Sequence, residues 1–148
     1  MARKRAKEAI KDPGEAYWYA HTVIKGRWCQ AELNIMKDPE YALDYALYVI
    51  KGRWPEAESV IMKDPKWAYE YAKHVIRGRW PEAEPYIKTD SNHAFSYAHD
   101  VIKGRWPEAE PVILNSSYAQ WYRIHYIPHT EWTMMGGRYK KKNNMWIR

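Results

Sequence analysis

The sequence predicts an all-α protein, a short α-solenoid built from tandem helical repeats. Three observations support this prediction. A unit of 26 residues recurs four times without an insertion, helix-capping residues open each unit, and alanines and aromatic residues then follow at helical spacing. Since units of this size cannot bury an apolar face alone, we expect each one to be stabilised by its neighbours.

The repeats divide the chain into four segments. Residues 12–115 hold the four repeats, which open at Asp12, Asp38, Asp64 and Asp90. We expect residues 1–11 to form a basic N-terminal capping helix and residues 116–129 to form a partial fifth repeat that caps the array. Residues 130–148 are a basic aromatic tail with two turn signals, which is either a small β-meander or irregular.

A first helix of about three turns opens each repeat. Aspartate precedes proline at the start of the first three repeats, a pair that favours a helix N-terminus. In the second repeat Ala42, Tyr45 and Ala46 share one apolar face. We expect Gly52 to end this helix in a left-handed conformation, with Lys51 complementing the helix dipole, and the equivalent residues to do so in the other repeats.

A second, shorter helix is predicted after the glycine. Repeats two to four continue with Arg-Trp-Pro-Glu-Ala-Glu, whose acidic first turn suits a helix N-terminus. Pro85 and Pro111 lie four residues after another proline and remove backbone donors, so we expect one or two partly irregular turns.

An arginine and a tryptophan recur side by side in every repeat. They are Arg27, Arg53, Arg79 and Arg105 with Trp28, Trp54, Trp80 and Trp106. We expect the tryptophans to be buried between repeats and the arginines to pair with the adjacent glutamates. The alternative is a track for phosphates and stacked bases, which the equal number of nearby carboxylates disfavours.

The octapeptide KGRWPEAE stands at residues 51–58 and again at 103–110. With the Lys-Asp-Pro link and the following Tyr-Ala pair, it resembles a tandem repeat of proteins encoded by tailed bacteriophages. The resemblance covers about residues 12–115, with departures at Cys29-Gln30 and Ser91-Asn92. It implies a viral origin and a helical array, and it carries over no catalytic residues.

The positive charge of the chain lies at its ends. The net charge is +6, but residues 12–115 have a net charge of −3, whereas residues 1–11 carry +4 and residues 116–148 carry +5. Basic ends with interleaved aromatic residues can contact phosphates and bases, or can serve only solubility. The candidate nucleic-acid-binding residues are Arg3, Lys4, Arg5, Arg138, Tyr139, Lys140, Lys141, Lys142 and Arg148.

Positions that differ between repeats are the better candidates for function, because the fold does not dictate them. On the first helix they are mixed in charge and rich in aromatic residues, which suits a protein partner. The candidate protein-binding residues are Trp18, Tyr41, Asp44, Tyr48, Trp67, Glu70, Lys73, His74 and His93. The alternative is a solvated face whose residues vary without a function.

Catalysis is disfavoured by the sequence. No nucleophile and base, phosphate loop or metal-ligand spacing can be identified, so we expect no enzyme activity, no cofactor and no metal site. Neither a membrane span nor a secretion signal is apparent, and the single Cys29 fits a reducing compartment, here the cytoplasm of an infected bacterium.

The leading hypothesis is a non-enzymatic, phage-encoded protein whose repeats bind and inhibit a host factor or defence component. A nucleic-acid-binding protein that uses the basic termini is the first alternative. A structural component of the virion is the second.

Overall fold

The computed structural model describes residues 2–131 in full and the backbone of residues 140–142 and 145–147. Two compact units divide the chain, Met1–Ile87 and Lys88–Arg148, and each is described by itself. The predicted all-α fold of helical repeats is confirmed. The further arrangement of the repeats as a solenoid stays a prediction.

Unit 1 holds an N-terminal helix followed by the first, second and third repeats. The N-terminal helix is α1 (Ala2–Ala9), which contacts α2 and buries Ala9. The first helices and their π-helical extensions are α2 (Pro13–Tyr19) with π1 (Ala20–Ile24), α4 (Pro39–Asp44) with π2 (Tyr45–Ile50), and α6 (Pro65–Tyr71) with π3 (Ala72–Ile76). The second helices are α3 (Cys29–Ile35), α5 (Pro55–Ile61) and α7 (Glu84–Ile87).

The aspartates that open the repeats cap the first helices, as predicted. Asp38 Oδ1 accepts the backbone N–H of Glu40 at 2.9 Å, and Asp64 Oδ1 accepts that of Lys66 at 2.9 Å. Asp38 and Asp64 each precede a proline at the first helical position, where the missing N–H has no partner to lose.

The ends of the first helices differ from the prediction. Each helix widens into a π-helical turn, and the left-handed residue that closes it is the cation, Lys25, Lys51, Arg77 or Lys103, and not the glycine after it. The expectation that Gly52 takes the left-handed conformation was therefore wrong. Its N–H donates instead to the carbonyl oxygen of Ala46, six residues back, at 3.1 Å, a bond that the wider turn makes possible.

The first helices of unit 1 pack side by side, α2 on α4 and α4 on α6, and the second helices pack beneath them. Small residues permit this close approach, because Ala16, Ala42 and Ala68 are fully buried at equivalent positions. Pro85 shortens the second helix of the third repeat to one turn, as predicted.

Unit 2 holds the fourth repeat and a partial fifth. Its helices are α8 (Ser91–Tyr97) with π4 (Ala98–Ile102), a 3₁₀ turn (Pro107–Ala109), α9 (Glu110–Ile113), α10 (Ala119–Tyr126) and a 3₁₀ turn (His129–Glu131). The fifth repeat has one residue fewer in its first turn than the others, so Ala119 and Tyr122 follow Ala94 and Tyr97 by 25 residues instead of 26. Ser116 replaces the capping aspartate and accepts the backbone N–H of Tyr118 at 3.2 Å.

Part of the tail forms two paired β-strands. Strand β1 (Lys140–Lys142) pairs antiparallel with β2 (Met145–Ile147), with Lys141 opposite Trp146. Of the two predicted alternatives, the described backbone follows the β-structured one, with two strands.

Candidate functional site

The recurring residues form a repeated set of contacts, which we call the interlock. In the second repeat Arg53 makes two hydrogen bonds with Glu58, from Nε at 2.8 Å and from Nη2 at 2.7 Å. Tyr71 of the third repeat donates its hydroxyl to Glu58 Oε1 at 3.0 Å and accepts the backbone N–H of Trp54 at 2.6 Å. The interlock therefore joins the second repeat to the third through one tyrosine hydroxyl.

The same set recurs at the junction of the first and second repeats and in unit 2. Tyr45 links Trp28 and Glu32, and Tyr122 accepts from the N–H of Trp106 at 2.7 Å. Trp54, Trp80 and Trp106 are almost completely buried, and Arg27, Arg53, Arg79 and Arg105 pair with the glutamate five residues on. The predicted structural role of the Arg-Trp pairs is confirmed for these three tryptophans, whereas Trp28 of the first repeat is only half-buried.

Burial and charge shift the ionisation of the interlock. The hydrogen bonds from Arg53 hold the pKa of Glu58 below its ordinary value, and those from Arg27 do the same for Glu32. Burial raises the pKa of Tyr122 to about 12, so its hydroxyl stays protonated and can donate at neutral pH. The recurring Arg, Glu and Tyr side chains thus satisfy one another within the fold.

The junction of the second and third repeats carries an open groove on the surface of unit 1. We call it the repeat groove; its volume is about 470 Å³. It is lined by Leu43, Asp44, Leu47, Tyr48, Lys66, Trp67, Glu70, His74 and Arg77. The residues are presented by α4, π2, α6 and π3, with Arg77 directly after π3, so neighbouring first helices supply both walls.

Aromatic and charged side chains surround the leucines of the groove. Lys66 Nζ lies 3.9 Å from the centre of the Trp67 ring, a cation–π contact that orients the indole. His74 Nε2 lies 3.2 Å from Glu70 Oε2, one helical turn away. Tyr48 is 54% exposed at the rim. Burial, and then the charge of Glu40, raises the pKa of Asp44.

Aromatic side chains occupy the equivalent place at the preceding junction. Where the groove has Leu43, Asp44 and Leu47, the first repeat has Tyr17, Trp18 and His21. Their rings contact one another and those of Tyr41 and Tyr48, with the centres of the Tyr17 and Trp18 rings 5.3 Å apart. At the junction of the second and third repeats smaller side chains leave this space open, and the groove lies there.

Five of the nine predicted protein-binding residues line this groove: Asp44, Tyr48, Trp67, Glu70 and His74. Of the others, Trp18 is 55% exposed in the aromatic cluster of the first junction, and Tyr41 packs above Gly14, where an added Cβ would lie 2.8 Å from its ring. Lys73 Nζ donates to the hydroxyl of Tyr69 at 2.9 Å. His93 lies in unit 2, where its Nδ1 is 2.9 Å from the capping Asp90.

Sequence reasoning missed Lys66 and Arg77 as lining residues and did not include Leu43 and Leu47 among the binding residues. The sequence did mark Leu47 as a position that varies between repeats, since lysine or histidine stands there in the others. Arg77 was interpreted only through the helix dipole, because its place in a left-handed turn is not evident from the sequence.

The predicted nucleic-acid-binding residues are spread over both ends of the chain. Arg3, Lys4 and Arg5 are exposed on α1. Lys140, Lys141 and Lys142 form β1, and Arg138, Tyr139 and Arg148 lie outside the described residues.

The repeat groove combines leucines, aromatic rings and charges of both signs. Its described lining contains no serine, threonine or cysteine that the His74–Glu70 pair could activate. Within the described part of the chain, no three His, Cys, Asp or Glu side chains are grouped to hold a metal ion. No helix of the described residues is long and apolar enough to cross a bilayer.

Comparison with protein-family models, with curated proteins and with solved structures found no match to this chain.

Proposed function

We propose that this chain is a non-enzymatic binding protein that captures a protein partner in the repeat groove. One observation carries the proposal: five residues that differ between repeats lie together at one junction. None of them takes part in the interlock that holds the repeats together. Leucines at the floor and aromatic rings at the rim supply apolar contact area, and charges of both signs surround them. Protein interfaces have this composition, with tyrosine, tryptophan and arginine dominating the binding energy.

The biological setting of the proposal comes from the sequence. The KGRWPEAE octapeptide resembles repeats of proteins encoded by tailed bacteriophages, which favours a bacterial target. We propose that the chain masks a host factor or a defence component by occupying the surface that this target needs.

Trp67 provides the sharpest test, because its ring is partly exposed in the groove and is held by Lys66. The immobilised protein should retain a specific partner from extracts of infected bacteria, with or without nuclease. Trp67→Ala should weaken the affinity for that partner by about thirtyfold, the loss of about 2 kcal/mol that marks a dominant interface residue.

A matched control is Leu33→Ala, which truncates a 75% exposed side chain on the second helix of the first repeat. It should bind as the unmodified protein does. Equal affinity of Trp67→Ala and Leu33→Ala, with both variants folded, would contradict the proposal.

Nucleic-acid binding remains the second candidate, because Arg3, Lys4 and Arg5 are exposed on α1. It predicts affinity for DNA or RNA that falls steeply with salt and is lost when these residues and residues 138–148 are removed. Retention of the partner after nuclease treatment argues against it.

A further inference from the structure

A second kind of cavity recurs at the two junctions of unit 1. One cavity, of about 300 Å³, is lined by His21, Lys25, Gly26, Tyr48, Val49 and Lys51. The other, of about 500 Å³, is lined by Leu47, Lys51, Gly52, His74, Val75 and Arg77. Each lining residue of the second stands 26 positions after its counterpart in the first. We call these cavities the cation clefts; unlike the repeat groove, they are built by the repeat itself.

The backbone at the clefts adopts a left-handed conformation at residues that carry a Cβ. Lys25, Lys51 and Arg77 adopt left-handed φ values of 57°, 61° and 59°. A residue with a Cβ adopts this conformation at a cost in free energy, whereas glycine adopts it freely. Each repeat nevertheless places the cation there and the glycine one position later.

The glycines have no steric reason to lack a side chain. A Cβ added at Gly26 or Gly52 would meet nothing within 4 Å, and neither residue has a left-handed φ. Their effect is to keep the clefts open. Glycine therefore leaves each cleft open beside its cations, an arrangement that suits a ligand.

The clefts concentrate positive charge. Lys25 and Lys51 line the first, and Lys51 and Arg77 line the second, so Lys51 serves both. Among the described residues, no Asp or Glu lines either cleft, and no ion pair involves these three cations. The neighbouring Arg27 and Arg53, in contrast, are neutralised by Glu32 and Glu58.

We infer that each cation cleft binds one carboxylate of an acidic segment of the partner. The inference rests on the proposed function, since the segment belongs to the protein held in the adjacent groove. Two cations beside an open cleft attract an anion from solution, and Arg77 offers a guanidinium that can bond a carboxylate through two N–H groups.

The surroundings favour a polypeptide over a nucleic acid. The second cleft shares Leu47, His74 and Arg77 with the repeat groove, which also contains Asp44 and Glu70. A nucleic acid has a negative phosphate at every nucleotide and would bring some of them near these carboxylates. A polypeptide can place acidic residues at the clefts and apolar or basic residues at the groove.

The repeat also sets a spacing. Helices α2, α4 and α6 contact one another in order, and packed helices lie about 8–10 Å apart. Equivalent clefts are thus about 10 Å apart, which an extended peptide spans in about three residues at roughly 3.3 Å each. The segment should therefore carry acidic residues at positions i and i+3.

Fluorescence anisotropy on the full chain tests this inference with a labelled serine- and glycine-rich peptide that has glutamates at i and i+3. The unmodified protein should bind it, and Lys51→Gln should bind about tenfold more weakly, because Lys51 flanks both clefts and its loss weakens both contacts. Lys63→Gln is the matched control: it removes the same charge from the same repeat at an exposed position outside the clefts, and its affinity should be unchanged.

Gly52→Leu is a second variant, which fills a cleft without changing charge. It should bind the peptide as weakly as Lys51→Gln while its melting temperature stays that of the unmodified protein. Equal binding by the unmodified protein and Lys51→Gln would overturn the inference, as would an equal loss in Lys63→Gln. Tighter, Lys51-dependent binding of a single-stranded oligonucleotide of equal charge would instead assign the clefts to nucleic acid. Partner capture that requires Trp67 but not Lys51 would overturn the inference and leave the proposed function standing.

Discussion

Replacing Tyr71 by phenylalanine removes one oxygen atom that holds the second and third repeats together. That hydroxyl accepts the N–H of Trp54 at 2.6 Å and donates to Glu58 at 3.0 Å, and the surrounding side chains are buried. Phenylalanine fills the same space, so the packing is preserved and the lost bonds dominate the effect.

The expected loss in the free energy of unfolding follows from these two hydrogen bonds. The backbone N–H of Trp54 loses its partner in a buried site, which costs about 1–3 kcal/mol, and a hydrogen bond to a charged acceptor contributes about 1.5–3 kcal/mol. Glu58 keeps its two bonds from Arg53, so the two terms do not add fully. We expect the free energy of unfolding to fall by about 2–4 kcal/mol.

Urea unfolding followed by circular dichroism measures this loss. The control is Tyr48→Phe, since the Tyr48 ring is 54% exposed and its hydroxyl has no hydrogen-bond partner among the described residues. Its free energy of unfolding should change by less than about 0.5 kcal/mol. An equal, small loss in Tyr71→Phe and Tyr48→Phe would refute the interlock.

Three further predictions concern stability. Lys51→Gly should raise the free energy of unfolding by about 0.5–1 kcal/mol, because it relieves a left-handed lysine, and calorimetry showing a loss would contradict this. Asp44→Asn should raise the melting temperature at pH 7, because burial raises the pKa of Asp44 and its charge opposes folding; the gain should vanish as acid protonates the unmodified protein. Arg53→Gln should lower the melting temperature at neutral pH. Since Arg53 lowers the pKa of Glu58 below the ordinary 4.5, the difference in melting temperature between the variant and the unmodified protein should persist near pH 4.5 and disappear at lower pH. A difference that stays constant in acid would count against the Arg53–Glu58 ion pair.

Much of the fold was predictable because the residues that each repeat needs for folding recur four times at the same spacing. Capping aspartates, buried alanines and the Arg–Glu pairs each follow from a local rule of helix chemistry. The π-helical turns were not predictable. Nothing in the sequence of a segment such as Tyr45–Ile50 shows whether each backbone N–H bonds the carbonyl oxygen five residues back or the one four residues back. The left-handed Lys51 was missed for a related reason: a glycine beside it offered the more usual solution.

The site was predictable only in part. Comparing repeats identified Asp44, Tyr48 and Trp67 as residues that the fold does not dictate, and the structure places them together. Comparison alone could not separate Trp18, whose neighbours fill their junction with rings, from Trp67, whose neighbours leave space. That difference depends on side-chain volume on the adjacent helix, which only the packed structure reveals.

The central claim is that different residues hold the fold and bind the partner. It is tested most directly by measuring the affinity for the captured partner and the melting temperature in Trp67→Ala and Tyr71→Phe. We predict that Trp67→Ala loses affinity with little change in melting temperature, and that Tyr71→Phe loses thermal stability but keeps its affinity while folded. A variant at Trp67 that unfolds readily, or one that binds as well as the unmodified protein, would contradict the claim.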